Sequence, residues 1–202
     1  KVLDGINVVL EKGEQNILKI TGDNTENVVI INKSGSLIIR MQLVKKLKGQ
    51  NTVVKLTHKS RIFLIEAKEG ATVISKDKTD QSTIYLKTAS GGQIDLDIQT
   101  EKATATANSG GVINLKGTTF SFDAIVKSGS IVKAYELNSS QTKVKASSGG
   151  SCKAYARAIF EANASLGGSI EVYGDPNGLA FLTIPKEYNK QIGIFMPVCF
   201  WL

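Results

Sequence analysis

The sequence predicts an all-β protein built as one β-solenoid, a coil of short strands stacked turn upon turn. Two observations carry that expectation: a Ser-Gly or Gly-Gly signal recurs about every 19 residues, and apolar residues alternate with polar ones on both sides of each recurrence. Composition is the third. Nineteen glycines against three prolines, with many Thr, Ser, Val and Ile, suit tight turns between strands rather than a disordered chain.

Residues 1–62 do not share this rhythm clearly. They carry alternating segments, "INVVL", "VVIIN", "SLIIRM" and "NTVVKL", separated by the turn signals "KGEQN", "GDNTEN" and "KLKGQN". These read as strands in longer, less regular coils or hairpins that cap the open N-terminal end of the stack, an edge a solenoid must shield.

Residues 63–176 hold the regular coils. The anchors are Gly70, Gly91, Gly110, Gly129, Gly149 and Gly167. Three residues after each anchor stand Val73, Ile94, Ile113, Val132, Cys152 and Ile170, and five after it Ser75, Leu96, Leu115, Ala134, Ala154 and Val172. The residues between them are mostly polar, which is the period of a half-buried strand. Five residues before each anchor come Ile65, Leu86, Ala105, Ala124, Val144 and Ala162, so a second strand precedes the corner. A corner stacked on identical corners needs positive φ or close backbone approach, and glycine supplies both. A phosphate-binding loop would need a helix after the glycines; strands follow instead. Each coil is long enough for roughly three strands of four to five residues at about 3.3 Å per residue. The many alanines of the inward columns predict a narrow core in the later coils.

Residues 177–202 are expected to form a C-terminal cap or tail. The closing "IGIFMPVCFWL" is apolar but far shorter than the roughly 20 residues of a membrane-spanning helix, and Pro197 interrupts it. The start at Lys1 is expected to be that of a mature chain trimmed of its leader. Cys152 and Cys199 make no disulfide framework; Cys152 falls in an inward column, where a small buried thiol is expected. The formal net charge of +7 is spread along the chain, and no nucleic-acid-binding motif accompanies it.

Catalysis finds little support. The best acidic pair, Asp95 and Asp97, is followed in the next coil by Asn114 and Lys116, so no carboxylates stack. The single histidine, His58, lacks companions for a metal site, and no cofactor or metal is expected. A binding role has one better feature. Tyr135, Tyr155 and Tyr173 follow three consecutive anchors by six residues, near Lys133 and Lys153. Continued strands would point all five outward and stack the tyrosines coil over coil, a strip suited to sugar rings or a protein edge. Aromatic ladders also stabilise solenoids without binding anything.

The segments "LDGINVVLEKG", "IYLKTASGGQIDLDI" and "SLGGSIEVYGDP" resemble the bacterial auto-transporter adhesin, head GIN domain family, over residues 1–176, with Gly5, Ile6 and Asn7 matching the name. The resemblance implies a right-handed β-helix shaped like pectin lyases, a protein exported to the surface or envelope of Bacteroidetes-type bacteria, and a role in adhesion. It carries over no catalytic residues. The favoured function is therefore a non-catalytic surface module binding glycan or protein, with a homo-oligomer left open; a structural envelope scaffold and a polysaccharide-active enzyme are the alternatives.

Overall fold

The computed structural model describes residues 1–42, 51–181 and 192–195, with side chains through Gly178. The chain opens with β1 (Asn7–Lys12), β2 (Ile17–Gly22), a 3-10 turn at Thr25–Asn27, the hairpin of β3 (Val28–Lys33) and β4 (Ser36–Met41), and β5 (Thr52–His58). Next come β6 (Leu64–Lys68), β7 (Thr72–Ser75), the two-residue β8 (Thr79–Asp80) and β9 (Thr83–Ala89). Three long strands follow, β10 (Gln93–Ala107), β11 (Val112–Lys127) and β12 (Ile131–Ser147). The described chain ends with β13 (Ser151–Tyr155), β14 (Ile159–Ser165), β15 (Ser169–Tyr173), β16 (Gly178–Phe181) and β17 (Ile192–Phe195). Strands make up 68% of the structure, in a β-solenoid of about six turns.

Stacked coils form two walls. The first runs β17, β15, β13, β12, β11, β10, β7, β1, β5 and β2; the second runs through β16, β14, the later halves of the three long strands, β9 and β6. Pairing within the walls is parallel until β2, which closes the first wall antiparallel to β5. The short strands expected of each coil merge in the centre. β10 and β11 stay paired from Gln93↔Val112 to Ala107↔Val126, because neighbouring coils bend at the same place and their ladder survives the bend. Each coil thus combines one tight corner with gentler bends.

Each corner puts two successive residues in the left-handed region. Ser109 and Gly110 have φ of 49° and 72°, and the turn closes with the Gly111 N–H donating to the Asn108 carbonyl at 3.0 Å. The corners also bond to one another, Gly110 N–H donating to the Ser128 carbonyl at 3.1 Å. Close approach falls on the following residue. A Cβ at Gly150 would sit 2.4 Å from the Val126 carbonyl oxygen, whereas nothing lies within 4 Å of one at Gly110. The equivalent of Gly150 in the preceding coil is Ser130, fully buried, whose hydroxyl donates to the Ala107 carbonyl at 2.8 Å.

The strand columns face inward except at Ser75, which is half-buried. Val73, Ile94, Ile113, Val132, Cys152 and Ile170 are at most 1% exposed, and burial pushes the Cys152 thiol well above its ordinary value. The alanine columns leave room that Phe122 and Phe160 fill from positions seven residues before their anchors. Full burial of a phenylalanine is worth up to about 3 kcal/mol, so these two rings offset the narrow columns.

Residues 1–12 occupy an unforeseen place. β1 is inserted between β5 and β7, and Val2 bridges Ile39 on one side and Ala67 on the other. The first coil thus lies inside the stack, covered by segments that follow it in sequence. Asp4 and Gly5, with φ of 60° and 73°, make a corner like the later ones, and Ile6 fills the buried site that glycine occupies in most later coils. At the other end β16 and β17 continue in parallel, Ile170 opposite Ile192. Pro197, Cys199 and Trp201 lie outside the described residues.

Candidate functional site

The outward side of the first wall carries the five polar and aromatic residues singled out from spacing. Lys133 and Tyr135 lie on β12, Lys153 and Tyr155 on β13, and Tyr173 on β15. Lys133 and Tyr135 are exposed, and the other three are half-buried. Alternation is the local cause, since the neighbours Val132, Ala134, Cys152, Ala154 and Val172 point to the core.

The tyrosines do not form a simple ladder. Tyr155 and Tyr173 are opposite in register, yet the ring contact joins Tyr135 to Tyr173, with centroids 5.5 Å apart and planes tilted by 37°. The Tyr155 ring lies instead beside Gly174, where a Cβ would come within 2.9 Å of its edge. A register shift between β11 and β12 explains part of this. Asn114 pairs with Lys133 but Lys116 pairs with Glu136, so β12 holds one extra residue next to Tyr135. Such a bulge re-aims the side chains beside it.

Charge is organised around one oxygen. Glu171 Oε2 receives the Lys153 ammonium at 3.0 Å and the Tyr173 hydroxyl at 3.2 Å. The hydrogen bond to Glu171, then its charge, holds Lys153 above its ordinary value. Partial burial, then the Glu171 carboxylate, raises Tyr173. Lys133 belongs to a different neighbourhood. It lines a groove of about 320 Å³ with Asp95, Asn114, Lys116, Tyr135 and Glu136.

The arrangement therefore has two parts that meet at Tyr135: a paired aromatic surface backed by Lys153 and Glu171, and a polar groove of mixed charge. Spacing located the tyrosines and lysines but missed Glu171 as their shared acceptor and Glu136 as a groove wall. The alternation at Glu171 was visible; the extra residue in β12 shows in the 20-residue interval from Gly129 to Gly149. Asp95 is 3.5 Å from the Asn114 amide, and among the described residues no cluster of three or more His, Cys, Asp or Glu could hold a metal. Among them, too, no helix is long and apolar enough to cross a membrane.

Comparison with known proteins agrees on family and fold. A family model described as "Putative auto-transporter adhesin, head GIN domain" matches residues 1–176. A putative adhesin from Bacteroides fragilis superposes with a TM-score of 0.79 at 16% identity, over 97% of this chain and 91% of that one. A putative lipid binding protein from Parabacteroides distasonis gives 0.71 at 17% identity, over 96% and 90%. A putative adhesin from Parabacteroides merdae gives 0.69 at 17%, over 96% and 87%. At these identities the likeness is one of fold. No curated protein is similar enough in sequence to count as a relative.

Proposed function

The chain belongs to the auto-transporter adhesin, head GIN domain family, and from that premise we propose that it is a non-catalytic, exported interaction module that binds a glycan or a surface protein through the outward side of its first wall. Residues 1–176 are the interaction unit. The observation that carries this reading is the Tyr135–Tyr173 pair at 5.5 Å beside the polar groove. Paired aromatic faces present flat apolar area to a sugar ring, and the groove's mixed charge supplies hydrogen-bond donors and acceptors next to it. Tyr155, Lys133 and Lys153 complete the face.

Glycan-array and cell-binding measurements on the parent and on Tyr135→Ser/Tyr173→Ser test it, after equal β-sheet content is established. Binding by the parent that is lost in the variant supports the face; equal binding by both removes it. A structural envelope scaffold is the second reading, favoured by the satisfaction of Lys153 and Tyr173 within the cluster on Glu171. A parent that binds neither glycans nor cells supports that reading.

A further inference from the structure

A second hollow lies at the irregular end of the stack, on residues separate from the tyrosine face. It follows from the insertion of β1 between β5 and β7. In the central coils the strands run on around the bend. Here β1 ends at Lys12, β5 at His58, which is opposite Lys12 in register, and β7 at Ser75. Three neighbouring strands stop side by side, and the segments that follow β5 and β7, with Lys12 at the end of β1, line a cavity of about 290 Å³.

Its walls are cationic. Lys12, Lys59, Arg61 and Lys78 line it with the His58 imidazole, against two carboxylates, Asp77 and Asp80. Four cations against two carboxylates leave an excess of two positive charges. Asp77 is partly engaged, accepting the Lys12 backbone N–H at 2.8 Å. Among the described residues, no ion pair within 4.0 Å engages the side chains of Lys12, Lys59 or Arg61, and Lys78 has only Asp97, at 3.9 Å. Cations gathered around a hollow without matching counter-charge repel one another, and an entering anion relieves that repulsion.

The connection that carries Lys59 and Arg61 is held in place. The Gln81 side chain, 6% exposed, donates to the Ile62 carbonyl at 3.0 Å and the Thr83 carbonyl at 2.8 Å, which ties this segment to the next strand. His58 Nδ1 lies 2.9 Å from the Ser60 carbonyl, an acceptor, so this nitrogen carries a proton and donates. A backbone already held in place limits the freedom that its cations lose on binding. Ser60 and Thr79 add hydroxyls to the lining. A guanidinium fork, ammonium groups and hydroxyls around a small cavity are the donor set for a tetrahedral oxyanion.

The geometry points to this cavity as a binding site for a phosphate- or sulfate-type oxyanion, carried by a free solute or by an acidic sugar chain. The test titrates the folded chain with inorganic phosphate, a sulfated polysaccharide and a neutral dextran at ionic strength held constant with chloride, read by calorimetry and amide NMR shifts. The expected result is saturable binding of phosphate or of the sulfated polysaccharide, with shifts confined to residues 12, 58–61 and 75–81. Lys12→Gln/Arg61→Gln weakens it by about tenfold or more, the scale of lost charged hydrogen bonds. Lys87→Gln/Lys145→Gln, which removes the same charge from exposed sites of the regular coils, leaves it unchanged.

Binding of the sulfated polysaccharide well above that of phosphate places the anion on a sugar chain, and comparable binding places it on a free solute; both uphold the site. Lack of saturable binding by either, shifts spread over the surface, or equal loss in the two double variants overturns it. The substituted side chains are exposed, and the Lys12 bond to Asp77 uses its backbone, so folding is expected to survive. Should the first variant misfold, Lys59→Gln/Lys78→Gln replaces it. Loss of binding at the tyrosine face leaves this result untouched, so the two proposals stand or fall separately.

Discussion

Tyr135 and Tyr173 meet ring to ring at 5.5 Å although a whole strand, β13, lies between their own strands. Strands in a sheet are about 4.8 Å apart, so the two side chains lean toward each other across the intervening coil. The bulge beside Tyr135 and the turning aside of Tyr155 make that approach available.

A double-mutant cycle follows from this contact. Tyr135→Ser and Tyr173→Ser are expected to couple by about 0.5–1.5 kcal/mol in denaturant unfolding, the range for aromatic pairs. Tyr135→Ser and Tyr155→Ser should couple more weakly. The reverse ranking would show that the three tyrosines stack in sequence order after all.

The corner glycines separate two kinds of strain. Gly110→Val and Gly149→Val place a branched residue at φ of 72° and 74° and are expected to cost roughly 1–3 kcal/mol from the backbone alone. Gly150→Ala adds only a methyl, yet brings it to 2.4 Å from the Val126 carbonyl oxygen and must move backbone. Its denaturant midpoint should fall at least as far as that of Gly149→Ala, which has φ strain but no such contact.

Cys152 should be inert. It is fully buried, and burial disfavours its thiolate, so a thiol reagent is expected to modify it only as fast as the chain unfolds. Labelling of the native protein at the rate of an exposed thiol would mean that the strand register has slipped, since a shift of one residue turns the whole inward column outward. Cys152→Ser should destabilise by about 1–3 kcal/mol through a buried hydroxyl without a partner.

Glu69 and Asp4 are stacked acidic residues at adjacent corners. The hydrogen bond to Asp4, then partial burial and the Asp4 charge, hold Glu69 above its ordinary value of 4.5. Because the folded value is the higher one, the stability from this pair is present below pH 4.5 and is lost as pH rises through the folded value. Glu69→Gln removes the repulsion and is expected to raise stability at neutral pH by about 0.5 kcal/mol, the scale of a screened surface pair. The advantage should vanish near pH 3 in a melting series; a constant difference across pH would point to another cause.

How far the sequence reaches can be judged residue by residue. The inward places of Ile113, Val132, Cys152 and Ile170 were legible because a half-buried parallel coil repeats both its period of two and its corner. The corner at Ser109 and Gly110 was legible for the same reason: positive φ restricts residue choice locally, and the restriction recurs with each coil. The groove of Asp95, Lys133 and Glu136 could be read only in part, since each residue's outward direction is local but their convergence depends on the bulge in β12. The insertion of β1 between β5 and β7, the Tyr135–Tyr173 contact and the cationic hollow were decided by tertiary structure. Alternation tells a strand which face is buried but not which strand will be its neighbour. That choice depends on which edges remain unpaired once the whole chain is wound, and on side chains that meet only after two coils have been laid one upon the other.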